Sequence, residues 1–183
     1  MARVLVPLAQ GCEELEAITV VDLLRRAGIE VVTAGLDARP VRAARGTVLM
    51  PDTTLDDALE TDYDMIVLPG GLPGADHLRD DPRIIDLVKR MHATDRYTAA
   101  ICAAPRVLAK AGLLENRRAT SFPGSLDVND IPGIDYVEDA VVTDGKVVTS
   151  RGPGTAMDFA LTLIELLADT AKRDAVEAQL QRP

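Results

Sequence analysis

Short apolar runs alternate along the chain with segments whose apolar residues recur at three- and four-residue spacing, and glycine or proline marks most of the junctions. Val4 to Leu8 is the first such run; it is rich in β-formers and reads as a buried strand. Past Gly11, the segment Glu13 to Ala27 puts Ala17, Val20, Val21 and Leu24 on one helical stripe. Gly28 stops that helix, with Arg25 and Arg26 in its last turn, where a cation suits the negative end of the dipole. Glu30 to Ala34 is a second strand, so the chain opens β-α-β and parallel pairing is expected.

The same reading continues downstream. Val41 to Met50 is a β excursion around Arg45-Gly46, and Thr54 to Glu60 is a short helix with Asp52 or Thr53 as its cap. Met65 to Leu68 is a buried strand ending in the loop Pro69-Gly70-Gly71-Leu72-Pro73-Gly74. Pro82 to His92 is a helix with Asp81 as cap and Pro82 at its first position. Tyr97 to Ile101 is a strand that runs straight into Cys102 and a helix ending near Gly112. Ser121 to Gly133 reads as loop. Val137 to Thr143 and Lys146 to Ser150 flank Asp144-Gly145, a strong hairpin signal, and a helix follows from Thr155 to Ala168, with a last one over Ala171 to Leu180. The expected fold is a doubly wound, mostly parallel α/β sheet between helices, organised as one domain over residues 1–183.

Composition narrows the function. Aromatic residues make up 3% of the chain, with no Trp, which argues against stacking platforms for single-stranded nucleic acid. The net charge of −9 repels phosphate backbones, so nucleic acid is not an expected partner. The first apolar run is broken by Pro7, Gln10, Glu13 and Glu14, so it does not read as an export signal, and no stretch reads as a membrane span. A cytoplasmic, reducing compartment is the expectation, with Cys12 and Cys102 as thiols.

The chemistry centres on Cys102. In an open parallel sheet, ligands bind beyond the carboxyl ends of the strands, and Cys102 falls there, on a strand-to-helix turn. A helix N-terminus favours thiolate, so a depressed thiol pKa is expected; a buried, inert cysteine is the alternative reading. Gly70 and Gly71, at the end of another strand, allow a backbone N–H to turn toward a ligand, or form an ordinary tight loop. Glu13, Glu14 and Glu16 begin the first helix, and any one of them could share a proton with the thiol. Cys12 reads first as a small residue filling a turn and second as a resolving thiol.

Several segments together resemble the ThiJ/PfpI superfamily, and in particular the branch holding the Parkinson-disease-linked deglycase and the bacterial protein YajL. They are Gly11 to Glu16, Asp22 to Gly28, Val67 to Gly71, Ala99 to Pro105, and Ser150 to Thr155. The resemblance implies a flavodoxin-like sandwich and a homodimer. It selects Glu16 as the carboxyl facing Cys102 and assigns the oxyanion donors to the N–H groups of Gly71 and Ala103. It places Gly70, Arg45, Phe122, Pro153 and Gly154 around the pocket, with Arg45 expected from the partner subunit.

The chain also departs from that pattern. Phe122 stands where many relatives carry a histidine, and His77 and His92 lie elsewhere as expected solvated residues, so no Cys-His-acid triad is readable. Ala103 replaces the histidine of the protease-like branch, and the downstream His-x-Glu of class I glutaminases is missing. The resemblance therefore implies an enzyme that converts methylglyoxal or glyoxal to a hydroxy acid, or acts on glycated groups, without cofactor or metal. The alternative is a redox-sensing, chaperone-like protein that uses oxidation of Cys102 without turnover.

Overall fold

The computed structural model describes residues 1–182. In chain order the elements are β1 (Arg3–Leu8), α1 (Glu14–Arg26), β2 (Glu30–Gly35), β3 (Val41–Arg42), β4 (Val48–Leu49), β5 (Thr53–Thr54), α2 (Leu55–Ala58) and β6 (Met65–Leu68). They continue with α3 (Gly74–Asp80), α4 (Pro82–Ala93), β7 (Tyr97–Ile101), α5 (Pro105–Lys110), β8 (Arg118–Ala119), β9 (Asp135–Tyr136), β10 (Val141–Asp144), β11 (Val147–Ser150), α6 (Ala156–Leu167) and α7 (Thr170–Gln179).

Seven strands form the central sheet in the order β10-β11-β7-β6-β1-β2-β5. All neighbours pair in parallel except the β10–β11 hairpin at one edge. Strand β6 is apolar throughout, and β1 and β7 nearly so past their first residues, because both faces are covered. Along β1, Val4, Val6 and Leu8 face a core shared with α1 and α6, and Leu5 faces the opposite core. Along β6, Met65 and Val67 join the first core, and Ile66 and Leu68 join the second with Leu87, Val88 and Leu108 of α4 and α5. Burying one Val or Leu contributes about 1.5–3 kcal/mol, so this alternation fixes which side of the sheet each helix covers. Strands β3 and β4 form a separate two-stranded ribbon beside the start of α1.

The direction in which strands are added to the sheet reverses between β1 and β6. From β1 the chain winds outward through β2 to β5; from β6 it winds the other way through β7 to β11. The carboxyl ends of β1, β6 and β7 therefore open on one crevice, where Gly11, Gly70 and Cys102 follow. No helix among the described residues is long and apolar enough to cross a membrane.

The structure corrects four details of the expected elements. Residues 74–80 form α3, although Pro73-Gly74 reads as loop, and Pro73 supplies no side-chain cap. Helix α2 is capped by Thr54, whose Oγ1 accepts the Asp57 N–H; Asp52 instead accepts from Arg25 and from the N–H and hydroxyl of Thr33. The hairpin turn is Gly145-Lys146, because Asp144 pairs with Val147, and its first strand begins at Val141, not Val137. Gly145 has φ +59°, the conformation that the first position of a type II′ turn requires. His92 is not solvated at both nitrogens: its Nδ1 is buried without a partner.

Candidate active site

Strand β7 delivers Cys102 into the crevice in a conformation that few non-glycine residues adopt, with φ +62°. Such a residue costs about 1–3 kcal/mol and persists only where its surroundings hold it. Three hydrogen bonds do so. The Cys102 N–H donates to the Ser150 carbonyl at 2.9 Å, and its own carbonyl accepts the Phe122 N–H at 2.8 Å and the Ser125 Oγ at 3.2 Å. The Ala103 N–H belongs to the same peptide plane as that carbonyl. With the carbonyl held outward by the 122–125 loop, the N–H points the other way, and with the N–H of Gly71 it favours negative charge on the sulfur. The helix proper begins only at Pro105, so Cys102 to Ala104 form a turn between strand and helix.

Gly70 and Gly71 are glycines for steric reasons. A Cβ on Gly70 would lie 2.7 Å from the Cys102 Cβ, 2.7 Å from the Glu16 Oε2 and 2.9 Å from the Ile101 carbonyl. Gly71 has φ +85°, and a side chain there would overlap the Glu13 backbone. Gly70 thus packs against both the Cys102 Cβ and the Glu16 carboxyl, and it is not on the cavity wall.

The three acids at the start of α1 separate cleanly. Glu13 is the N-cap, its carboxylate accepting the Leu15 N–H. Glu14 turns outward and accepts the N–H groups of Arg45 and Thr47 from the β3–β4 ribbon. Glu16 is wholly buried; its Oε2 accepts the Gly70 N–H at 2.8 Å, and its Oε1 has no partner of its own. An orphaned buried oxygen penalises the carboxylate and favours the acid. Burial accordingly lifts the Glu16 carboxyl to about 7, against the hydrogen bonds from Gly70 and Cys102 that favour its ionised form.

The thiol does not behave as its position beside a helix start predicts. Burial first, and then the negative charge and hydrogen bond of Glu16, push the Cys102 thiol up to about 12; the N–H groups of Gly71 and Ala103 pull the other way. The expectation of a depressed pKa is corrected for this reason. Between about 7 and about 12 the pair holds a single proton, which sits on sulfur or on carboxyl.

Above this floor is a cavity of about 440 Å³ whose lining includes Glu13, Arg45, Gly71, Cys102, Ala103, Arg106, Phe122 and Pro153. Arg45 reaches it within its own chain, from the tip of the β3–β4 ribbon. The half-exposed Phe122 ring forms part of the wall and packs on Gly152. Gly154 was expected in the lining and is not: it is exposed, one residue beyond Pro153 in a 3₁₀ turn. Sequence reasoning missed Arg106 and Ser125, although a cation in the first turn of α5 opposes the helix dipole and so signals another use. Cys12 is buried, pushed up to about 12 by burial, and unpaired. Among the described residues no three His, Cys, Asp or Glu side chains are arranged to hold a metal ion.

The elbow thiol, buried carboxyl and paired N–H groups lie on a fold shared with known proteins. The chain belongs to the DJ-1/PfpI family, whose model matches residues 2–166. It is 44% identical over 170 residues to Protein dj-1beta of Drosophila melanogaster, covering 92% of this chain and 90% of that one. The crystal structure of Drosophila melanogaster DJ-1beta superposes with a TM-score of 0.93 at 40% identity, covering 100% of this chain and 98% of that chain. Protein DJ-1 homolog A of Arabidopsis thaliana is 41% identical over 179 residues, and there the match spans 97% of this chain but 46% of the relative's length. The relative named glutathione-independent glyoxalase DJR-1.2, from Caenorhabditis elegans, is 35% identical over 175 residues, with 96% of this chain and 92% of that protein covered.

Proposed function

We propose that the chain converts small 2-oxo aldehydes, methylglyoxal or glyoxal, to hydroxy acids by cysteine catalysis without a cofactor. The observation that carries this reading is the wholly buried Glu16 carboxyl, held by the Gly70 N–H beside the Cys102 side chain, where the Gly71 and Ala103 N–H groups favour charge on sulfur. The name of the Caenorhabditis elegans relative supports the same substrate class.

In this reading the same groups act in turn. The proton passes from the Cys102 sulfur to Glu16, which leaves a thiolate beside a neutral acid. The thiolate attacks the aldehyde carbon; the developing oxyanion is held by the Gly71 and Ala103 N–H groups and takes a proton to give a hemithioacetal. Glu16, again a carboxylate, removes the proton from that carbon to give an enediolate, the hydroxyl proton passes to the neighbouring oxygen, and Glu16 returns its proton to the neighbouring carbon. The product is a thioester of the 2-hydroxy acid. Water cleaves the thioester, releasing the hydroxy acid and restoring the thiol. The net change adds one water and exchanges oxidation state between adjacent carbons, so no external redox partner enters. The rise of the Glu16 carboxyl to about 7 suits a group that must both give and accept protons near neutrality.

Handling of glycated groups by the same thiol is part of this proposal, as is a working homodimer. The dimer is supported by Leu15 and Ile18 on α1 and by Val48 and Met50 on the adjacent ribbon, all exposed apolar residues. The test is lactate formation from methylglyoxal, with Cys102→Ser as control. Many equivalents of lactate per chain, lost in the variant, are expected. Consumption that stops at one equivalent would instead support a stoichiometric, redox-sensing thiol.

A further inference from the structure

Arg106 spans three segments that meet at the thiol. Its Nη1 donates to the Asp76 carboxylate on α3 at 2.6 Å, its Nε donates to the Ala103 carbonyl at 3.1 Å, and its Nη2 donates to the Ser125 carbonyl at 3.3 Å. Asp76 is held in turn by Arg79 at 2.9 Å. The guanidinium is largely buried, with 19% of the side chain exposed, and Arg106 also lines the catalytic cavity. Helix α3 follows directly from the glycine loop that carries Gly71, and the Ser125 hydroxyl grips the Cys102 carbonyl.

These contacts close a ring around one peptide unit. Arg106 holds Ser125, Ser125 holds the Cys102 carbonyl, and Arg106 returns to the carbonyl of Ala103. The enclosed peptide, between Cys102 and Ala103, carries the Ala103 N–H. Its orientation is set by forces on its carbonyl side, and a fork of donors in one plane fixes that side in a way a single ammonium cannot. Asp76 anchors the other end of the fork to the helix behind Gly71, so both oxyanion donors are referred to the same guanidinium.

We infer that Arg106 is a positioning residue that aims the two backbone N–H groups of the oxyanion site, acting through Ser125, Ala103 and Asp76. This rests on the thiol-and-oxyanion reading above. It predicts a specific defect: steps that pass through an oxyanion should suffer, and steps at sulfur that form none should not. Misplacement by about 1 Å typically costs as much as about 100-fold in rate.

The experiment compares two reactions of Cys102 in the wild type, Arg106→Met, Arg106→Lys and Asp76→Asn. Acylation by p-nitrophenyl acetate passes through a tetrahedral oxyanion and releases p-nitrophenolate; alkylation by iodoacetamide displaces iodide with no oxyanion. Arg106→Met should lower acylation about 10–100-fold and leave alkylation within about threefold. Arg106→Lys, which keeps the charge and loses the fork, should recover less than half of that loss on a logarithmic scale. Asp76→Asn should show a smaller defect of the same kind. In methylglyoxal turnover the loss should fall on kcat and not on KM. Equal losses in acylation and alkylation, or no loss in either, would overturn the inference, as would full rescue by lysine. Because acylation does not depend on dicarbonyl chemistry, an absence of lactate formation in the wild type would sink the proposed function and leave this comparison readable.

Discussion

Replacing Glu16 with glutamine tests whether the buried carboxyl shares a proton with Cys102, and it does so through stability as well as rate. Glu16 has no exposed surface, its Oε1 has no partner of its own, and its carboxyl is raised from 4.5 to about 7, by burial above all. A folded-state pKa above the unfolded one means that the folded protein binds the extra proton between those values. Stability is then fully present below about 4.5 and is lost as pH rises through about 7. At about 1.4 kcal/mol per pH unit, the ionised carboxyl costs the fold roughly 3 kcal/mol at alkaline pH. About 2 kcal/mol of that falls between pH 5.5 and 8, where the onset of cysteine ionisation in the unfolded chain adds only about 0.2 kcal/mol per thiol. Glutamine has the same shape, keeps an acceptor for the Gly70 N–H and does not ionise. Glu16→Gln should therefore remove this pH dependence and be more stable than the wild type at pH 8, while losing about 10²–10⁴-fold in turnover, or roughly 3–5 kcal/mol of transition-state stabilisation. Guanidinium unfolding of both proteins at pH 5.5 and 8, beside lactate assays, reads both effects. Parallel stability profiles, or turnover within tenfold of wild type, would rule out a proton shared between Glu16 and Cys102. Glu14→Gln is the internal control, since Glu14 turns outward and pins the ribbon.

Two further outcomes follow from the packing. Gly70→Ala places a methyl 2.7 Å from both the Cys102 Cβ and the Glu16 Oε2, so it should destabilise the fold by about 1–3 kcal/mol or more and abolish turnover; a variant with wild-type melting temperature and activity would contradict the geometry. The proposed homodimer should dissociate when Ile18→Asp charges the exposed apolar face of α1, shifting light scattering toward the monomer mass of 19.6 kDa; a wild type that already scatters at 19.6 kDa would remove the dimer.

Most of the sheet was legible because its strands are buried on both faces and so read as continuous apolar runs, as at Met65 to Leu68. The candidate site was legible for a related reason: the residues that follow β6 and β7 converge at the carboxyl edge, whatever their side chains do. What was not legible depends on contacts between segments far apart in the chain. Helix α3 is only seven residues long, begins at Gly74 without a side-chain cap, and is held by Asp76 reaching Arg106 thirty positions away. Asp52 looks like a helix cap in sequence and is instead claimed by Arg25 and Thr33. The separate duties of Glu13, Glu14 and Glu16 depend on where the β3–β4 ribbon and the Gly70 N–H lie, and neither position is encoded near those acids.

The direction of the thiol pKa is the most instructive of these differences. A cysteine beside a helix start suggests a thiolate stabilised by the dipole, but α5 begins three residues later and the nearest charge is a carboxylate. Two buried acids in contact do not both ionise cheaply, so the site gains nothing by making sulfur a strong acid alone. It gains by letting the proton move. The states with the proton on sulfur and on Glu16 carry the same net charge, so exchanging them leaves the charge of the buried floor unchanged. The two N–H groups favour the thiolate, and the Glu16 carboxyl, raised by burial, takes the departing proton. On this argument reactivity resides in the pair, and turnover should decline as acid conditions put a second proton on it, below the Glu16 value of about 7.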